Sequence, residues 1–176
     1  MLERAKKRID KLLELALIIL MSANVLNVLW QVFTRFVSRD PSSFTEELAR
    51  YLLIWVGLLG ASYAAGKKMH LAIDVVLQGL RNKTKIWTEI VIQVFIFLFS
   101  FFVMVIGGLR LVTITLTLNQ ISAALRIKLG YVYLVLPISG LLIVFYAAVF
   151  IIERFRALSG KSLEFESVAV ESQEGI

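Results

Sequence analysis

Four blocks of apolar residues, each long enough to cross a bilayer, leave this chain little else to become: roughly Leu12 to Val37, Leu48 to Ala65, Ile86 to Leu109 and Tyr131 to Ile152. A spanning helix needs about 20 predominantly apolar residues. In hydrocarbon only helices and closed barrels satisfy every backbone N–H and C=O. The blocks therefore predict an all-α integral membrane protein with four transmembrane helices, a membrane domain over 1–156. A tail without fixed structure follows over 157–176, which is Ser-, Gly- and Glu-rich and has no apolar period. The 59% content of hydrophobic residues agrees, since soluble domains hold about 45–50%.

The net charge of +6 raises the question of nucleic acid. The cations sit where the apolar blocks end and form no stripe interleaved with stacking aromatics, so nucleic acid is not the expected partner. Their distribution bears instead on orientation, because cytoplasmic segments collect Lys and Arg. The N-terminal arm, the second loop and the tail hold thirteen, and the first and third loops with their flanking helix ends hold six. Both termini are expected in the cytoplasm. The arm up to Lys11 is read first as a flag for topology and second as an amphipathic lead-in on the anionic lipid surface, where each nearby cation contributes about 1 kcal/mol. The first apolar run exceeds the roughly 7–15 residues of a signal-peptide core and is read as a retained span.

Within the first block, Asn24, Asn27, Gln31 and Arg35 follow at steps of three and four and share one helical face. That face should meet protein, whether the other helices or a second chain, because lipid tolerates amides poorly. In the second block Gly57, Ala61 and Ala65 form an i, i+4, i+8 ridge, with Gly60 and Ala64 beside it. Small side chains at that spacing admit a close helix partner. Charges at matching depth predict structural ion pairs: Glu14 with Lys67 and Lys68 at one end, Arg35 with Glu46 and Glu47 at the other, and Arg50 in the first turn of the second helix. The alternating stretch Leu111 to Leu118 is assigned to helix or an interfacial segment, because a lone strand leaves its backbone unsatisfied in lipid. Gly107-Gly108 is a candidate bend, and Pro137 should kink the last helix. Asn119 to Lys128 is expected as a short amphipathic interfacial helix before the last span.

Catalytic chemistry finds no footing. With no cysteine and one histidine, His70, the sequence offers neither a thiolate site nor a two-histidine haem or metal site. No phosphate-cradling glycine loop is present, and no nucleophile and base are paired. The sequence is read as non-enzymatic and without cofactor.

The run Glu46-Glu47-Leu48-Ala49-Arg50-Tyr51, then Ile54-Trp55, Gly60-Ala61 and Lys68-x-His70-x-x-x-Asp74, resembles the DctQ-like small membrane subunit of tripartite ATP-independent periplasmic transporters. Arg35-Phe36 and Leu134 to Pro137 add to the likeness, which extends from Leu12 to Arg156. Lys67 and Lys68 stand where such proteins often carry an arginine. The resemblance implies a four-helix subunit of the bacterial inner membrane. Its partners would be a large multispanning subunit that binds substrate and sodium and a periplasmic substrate-binding protein, and it would import an organic acid of the sialic acid or C4-dicarboxylate type. It would brace the fixed part of an elevator-type partner. Periplasmic loops, with Arg126 and Lys128, would help dock the binding protein. The alternative is a self-contained proton-coupled exporter using Glu14. A respiratory-type membrane subunit is a third possibility, against which the lone histidine argues.

Overall fold

The computed structural model describes residues 2–38, 43–67 and 82–152. Among them four helical spans are long and apolar enough to cross a membrane: Lys6–Val37, Ser43–Gly66, Trp87–Thr117 and Leu129–Ile152. We label the helices α1 (Leu2–Phe33), α2 (Ser43–Gly66), α3 (Asn82–Phe99), α4 (Gly108–Thr117), α5 (Leu129–Tyr133) and α6 (135–152). A π-helical turn, Thr34–Ser38, ends the first span, and a π-helical segment, Ser100–Gly107, joins α3 to α4 within the third. Lys68, His70 and Asp74 lie outside the described residues, as does the tail from 157.

The last span is the centre of the bundle. Half of it is buried, against 11% of each of the first two. Val135, Tyr146, Val149 and Phe150 are almost wholly enclosed, and Leu13 and Leu59 close on Val135, Tyr146 and Phe150. Leu12, Ile18, Leu26 and Trp30 of α1 and Phe95, Phe99 and Phe102 of the third span point outward. Lipid is as apolar as these side chains, so burial between spans gains little from water exclusion and depends on close packing.

Two glycines show how close. A Cβ on Gly66 would lie 2.7 Å from the Tyr146 ring, and one on Gly140 would lie 2.7 Å from Met104 Cβ and 3.1 Å from Val105 N. A larger residue at Gly66 must displace the buried Tyr146 ring, and one at Gly140 must push back the π segment itself. The neighbouring pair Gly107-Gly108 makes no bend of its own, since both residues hold α-helical φ and ψ. The irregularity lies just before them, in the π segment.

The alternating stretch after Gly108 is helical through Thr117. Its threonines turn their hydroxyls back on the helix: Thr113, Thr115 and Thr117 donate to the carbonyls of Leu109, Leu111 and Thr113 at 2.8 Å each. This leaves no side-chain donor bare. In the last span the helix is interrupted at Leu134, between α5 and α6. Pro137 thus falls in the first turn of α6, where a missing N–H costs no helical hydrogen bond.

The segment 119–128 differs from expectation. It is a loop with one antiparallel bridge, and the short helix that follows it, α5, is already the first turn of the last span. Ile121 and Lys128 form an antiparallel bridge, and Ser122 N donates to Ile127 O at 2.9 Å. Asn119 and Arg126 take φ of 48° and 53°, the left-handed region that a right-handed helix excludes. The amphipathic period was real, but these amides have better acceptors elsewhere.

Candidate functional site

The best of those acceptors is Glu47, one turn into α2. Its Oε2 receives the backbone N–H groups of Ala124 and Leu125 at 2.8 and 2.9 Å. Its Oε1 receives the Tyr51 hydroxyl at 2.7 Å. Tyr51 stands one helical turn further on, at i+4, where side chains on a helix meet. The Ser122 hydroxyl is buried beside both groups without a hydrogen bond of good geometry. Bonds to an ionised acceptor are roughly twice as strong as neutral ones. The carboxylate thus fixes a loop 77 residues away in sequence.

Next to this pin, Asn27 Nδ2 donates to Thr45 O at 2.7 Å and ties α1 to the start of α2. Glu46 pairs with Arg50 at 3.5 Å, with both side chains about two-thirds exposed. Ser43, Glu46, Glu47, Arg50, Ala123 and Ala124 line an open depression here. Arg126 and Lys128, further along the same loop, are exposed. Arg35 is also exposed and joins no ion pair among the described residues. Glu46 and Glu47 therefore take Arg50 and the loop in its place.

The other end, where Lys6 Nζ lies 4.5 Å from the centre of the Phe150 ring, carries a second polar cluster. Tyr146 donates its hydroxyl proton to Asp10 Oδ1, and Lys67 Nζ lies 3.8 Å from Asp10 Oδ2. Lys67 thus meets Asp10, one turn before the expected Glu14, which is exposed and makes no ion pair among the described residues. Asp10 is the better-shielded acid, with 14% of its side chain exposed, and the phenol gives it a second partner.

Between the two ends, α2 meets the last span through polar atoms. Trp55 Nε1 donates to Val132 O at 3.1 Å, just before the helix break. The Ser62 hydroxyl reaches both Leu58 O at 3.0 Å and Ser139 O at 3.2 Å. On the opposite face of α2, a Cβ on Gly57 would meet nothing within 4 Å, and Leu53 and Ala61 are exposed. The small residues therefore divide. A Cβ on Gly60 would lie 3.9 Å from Leu17 of α1, Ala64 is half-buried and Ala65 buried, while Gly57 and Ala61 look away from the other described spans. Of the amide stripe, Asn24 is buried with its Oδ1 unpartnered, Asn27 binds α2, and Gln31 is half-buried.

Residues 24–157 match the family model described as tripartite ATP-independent periplasmic transporters, DctQ component. The chain belongs to this family. It is similar to the sialic acid TRAP transporter small permease protein SiaQ of Vibrio cholerae, 32% identical over 85 residues, which are 48% of this chain and 49% of that protein. It is also similar to the sialic acid TRAP transporter permease protein SiaT of Haemophilus influenzae, 30% identical over 115 residues, 65% of this chain and 18% of that protein. The isethionate TRAP transporter permease protein DctMQ of Oleidesulfovibrio alaskensis is 30% identical over 96 residues, 54% of this chain and 15% of that protein. The matching segment thus spans about half of the small permease and under a fifth of the two longer ones. A DctQ component is a transporter subunit and not an enzyme. With four apolar spans it is a multipass protein of the bacterial inner membrane.

Asp10, Ser62, Ser139 and Tyr146 are site residues that the sequence pattern does not single out. A signal existed for Asp10, the one aspartate in a basic arm. None existed for the serines, whose partners are 77 residues apart.

Proposed function

We propose that the chain is the small subunit of a sodium-coupled, binding-protein-dependent importer of an organic acid, and that it braces a large elevator-type permease subunit. The observation that carries this reading is the outward face of α2, Leu53, Gly57 and Ala61, which none of the described residues covers. It is supported by the two longer relatives, in which the similar segment occupies under a fifth of a permease. A moving transport unit needs a neighbour that resists tilting, and a bundle welded around its last helix supplies one. The relatives' names carry sialic acid and isethionate, both organic acids. The end with Lys6 and Lys67 faces the cytoplasm in this reading and the 119–128 loop faces the periplasm, where Arg126 and Lys128 meet the binding protein.

Co-purification in mild detergent tests the assembly. The chain should retain the large permease, and Gly57→Leu with Ala61→Leu should lose it while still inserting. Solute transport by the purified chain alone would overturn the reading. Because the sequence has no cysteine, Lys128→Cys provides a single thiol, which an impermeant maleimide should label from outside intact spheroplasts.

A further inference from the structure

The 119–128 loop is held more firmly than a link between two spans requires. Glu47 takes two of its amides, Ser122 and Ile127 pair across it, Leu129 N donates to Gln120 O at 3.0 Å, and Ile121 bridges Lys128. Arg126 keeps a φ of 53°, a conformation that persists in a non-glycine residue when the surroundings over-determine it. Recognition residues concentrate on loops that a rigid scaffold positions, and ordering a loop beforehand removes an entropic cost from binding.

What the loop displays is positive charge. Arg126 and Lys128 are exposed, with Arg35 and Arg50 at the same end of the bundle. Among the described acids nearby, Glu46 pairs with Arg50 at the surface and Glu47 holds the loop amides, which leaves Arg126, Lys128 and Arg35 without an ion pair among the described residues. Such a surface is complementary to acidic side chains.

We propose that Glu47 is a positioning residue: it presets the 119–128 loop so that Arg126 and Lys128 receive an acidic face of the soluble binding protein. The proposal rests on the reading that this end faces the binding protein's compartment. It makes a claim opposite in sign to simple electrostatics. Deleting a negative charge from a cationic surface should, by charge alone, strengthen docking of an acidic partner. Positioning demands that docking weaken.

The test uses the assembled complex of both membrane subunits in nanodiscs, titrated with the binding protein at several salt concentrations. Glu47→Ala should raise Kd about tenfold if the freed loop is competent about a tenth of the time, and should speed hydrogen exchange at the Ala124 and Leu125 amides. Glu47→Gln should dock nearly as wild type, because both amides converge on one oxygen that its carboxamide can supply. Arg126→Glu with Lys128→Glu should abolish most of the salt dependence. Unchanged or tighter docking by Glu47→Ala overturns the proposal, as does salt-dependent docking indifferent to the charge reversal. Should Glu47→Ala fail to assemble, Tyr51→Phe decides, with a few-fold rise expected and no change overturning. Failure of the wild-type complex to bind the soluble protein would sink the broader reading instead.

Discussion

Each end of the bundle is tied by a carboxylate that receives hydrogen bonds, but the two acids hold different things. Asp10 receives a phenol from the last span and an ammonium from the end of α2, and so binds side chain to side chain across three spans. Glu47 receives backbone amides, and so fixes the path of a loop. Side-chain ties set where helices stand relative to one another. A tie to the main chain sets the shape of a surface. The first should register in the stability of the bundle and the second in what that surface can grip.

The largest break expected is at the buried end. Tyr146→Ala removes a ring that packs against Gly66 and lies within the core with Leu13 and Leu59. Aromatic-to-alanine changes in cores cost about 3–5 kcal/mol, so thermal unfolding in detergent should shift markedly. A shift no larger than that of a surface variant would deny this end its role. Next, Tyr146→Phe keeps the ring and removes only the bond to Asp10, leaving a shielded carboxylate with Lys67 alone; a loss of about 1–3 kcal/mol is expected, with the loop amides at the far end exchanging at wild-type rates. Smallest is Glu46→Gln, which breaks an exposed i, i+4 pair worth about 0.3–0.5 kcal/mol at most. Its unfolding should be nearly unaltered, and a large effect would mean that the depression beside Glu47 carries structure not assigned to it.

How much of this was legible in the sequence follows the range of the interactions. Apolar run length decided the number of spans, because bilayer thickness acts on each segment separately. The small-residue ridge of α2 was visible, but its direction was not: Gly57 and Ala61 are exposed while Ala65, at the same spacing, is buried. Only the position of the last span separates them. At the Lys67 end the ion pair falls on Asp10, one turn from the expected Glu14: the two acids are four residues apart on α1, and the Tyr146 hydroxyl tips the choice. The 119–128 loop was beyond reach. Its pattern suits an interfacial helix, and the carboxylate that unwinds it comes from another helix.

That the fourth span is the hub has a consequence for biosynthesis. A ribosome releases the chain from its N-terminus, so this helix emerges after the other three. Until then α1 and α2 have only each other, through Asn27 with Thr45 and Asp10 with Lys67, while Gly66 and Ser62 face lipid or translocon in place of their eventual partners. The described spans thus close into a bundle only once this helix has followed them into the membrane.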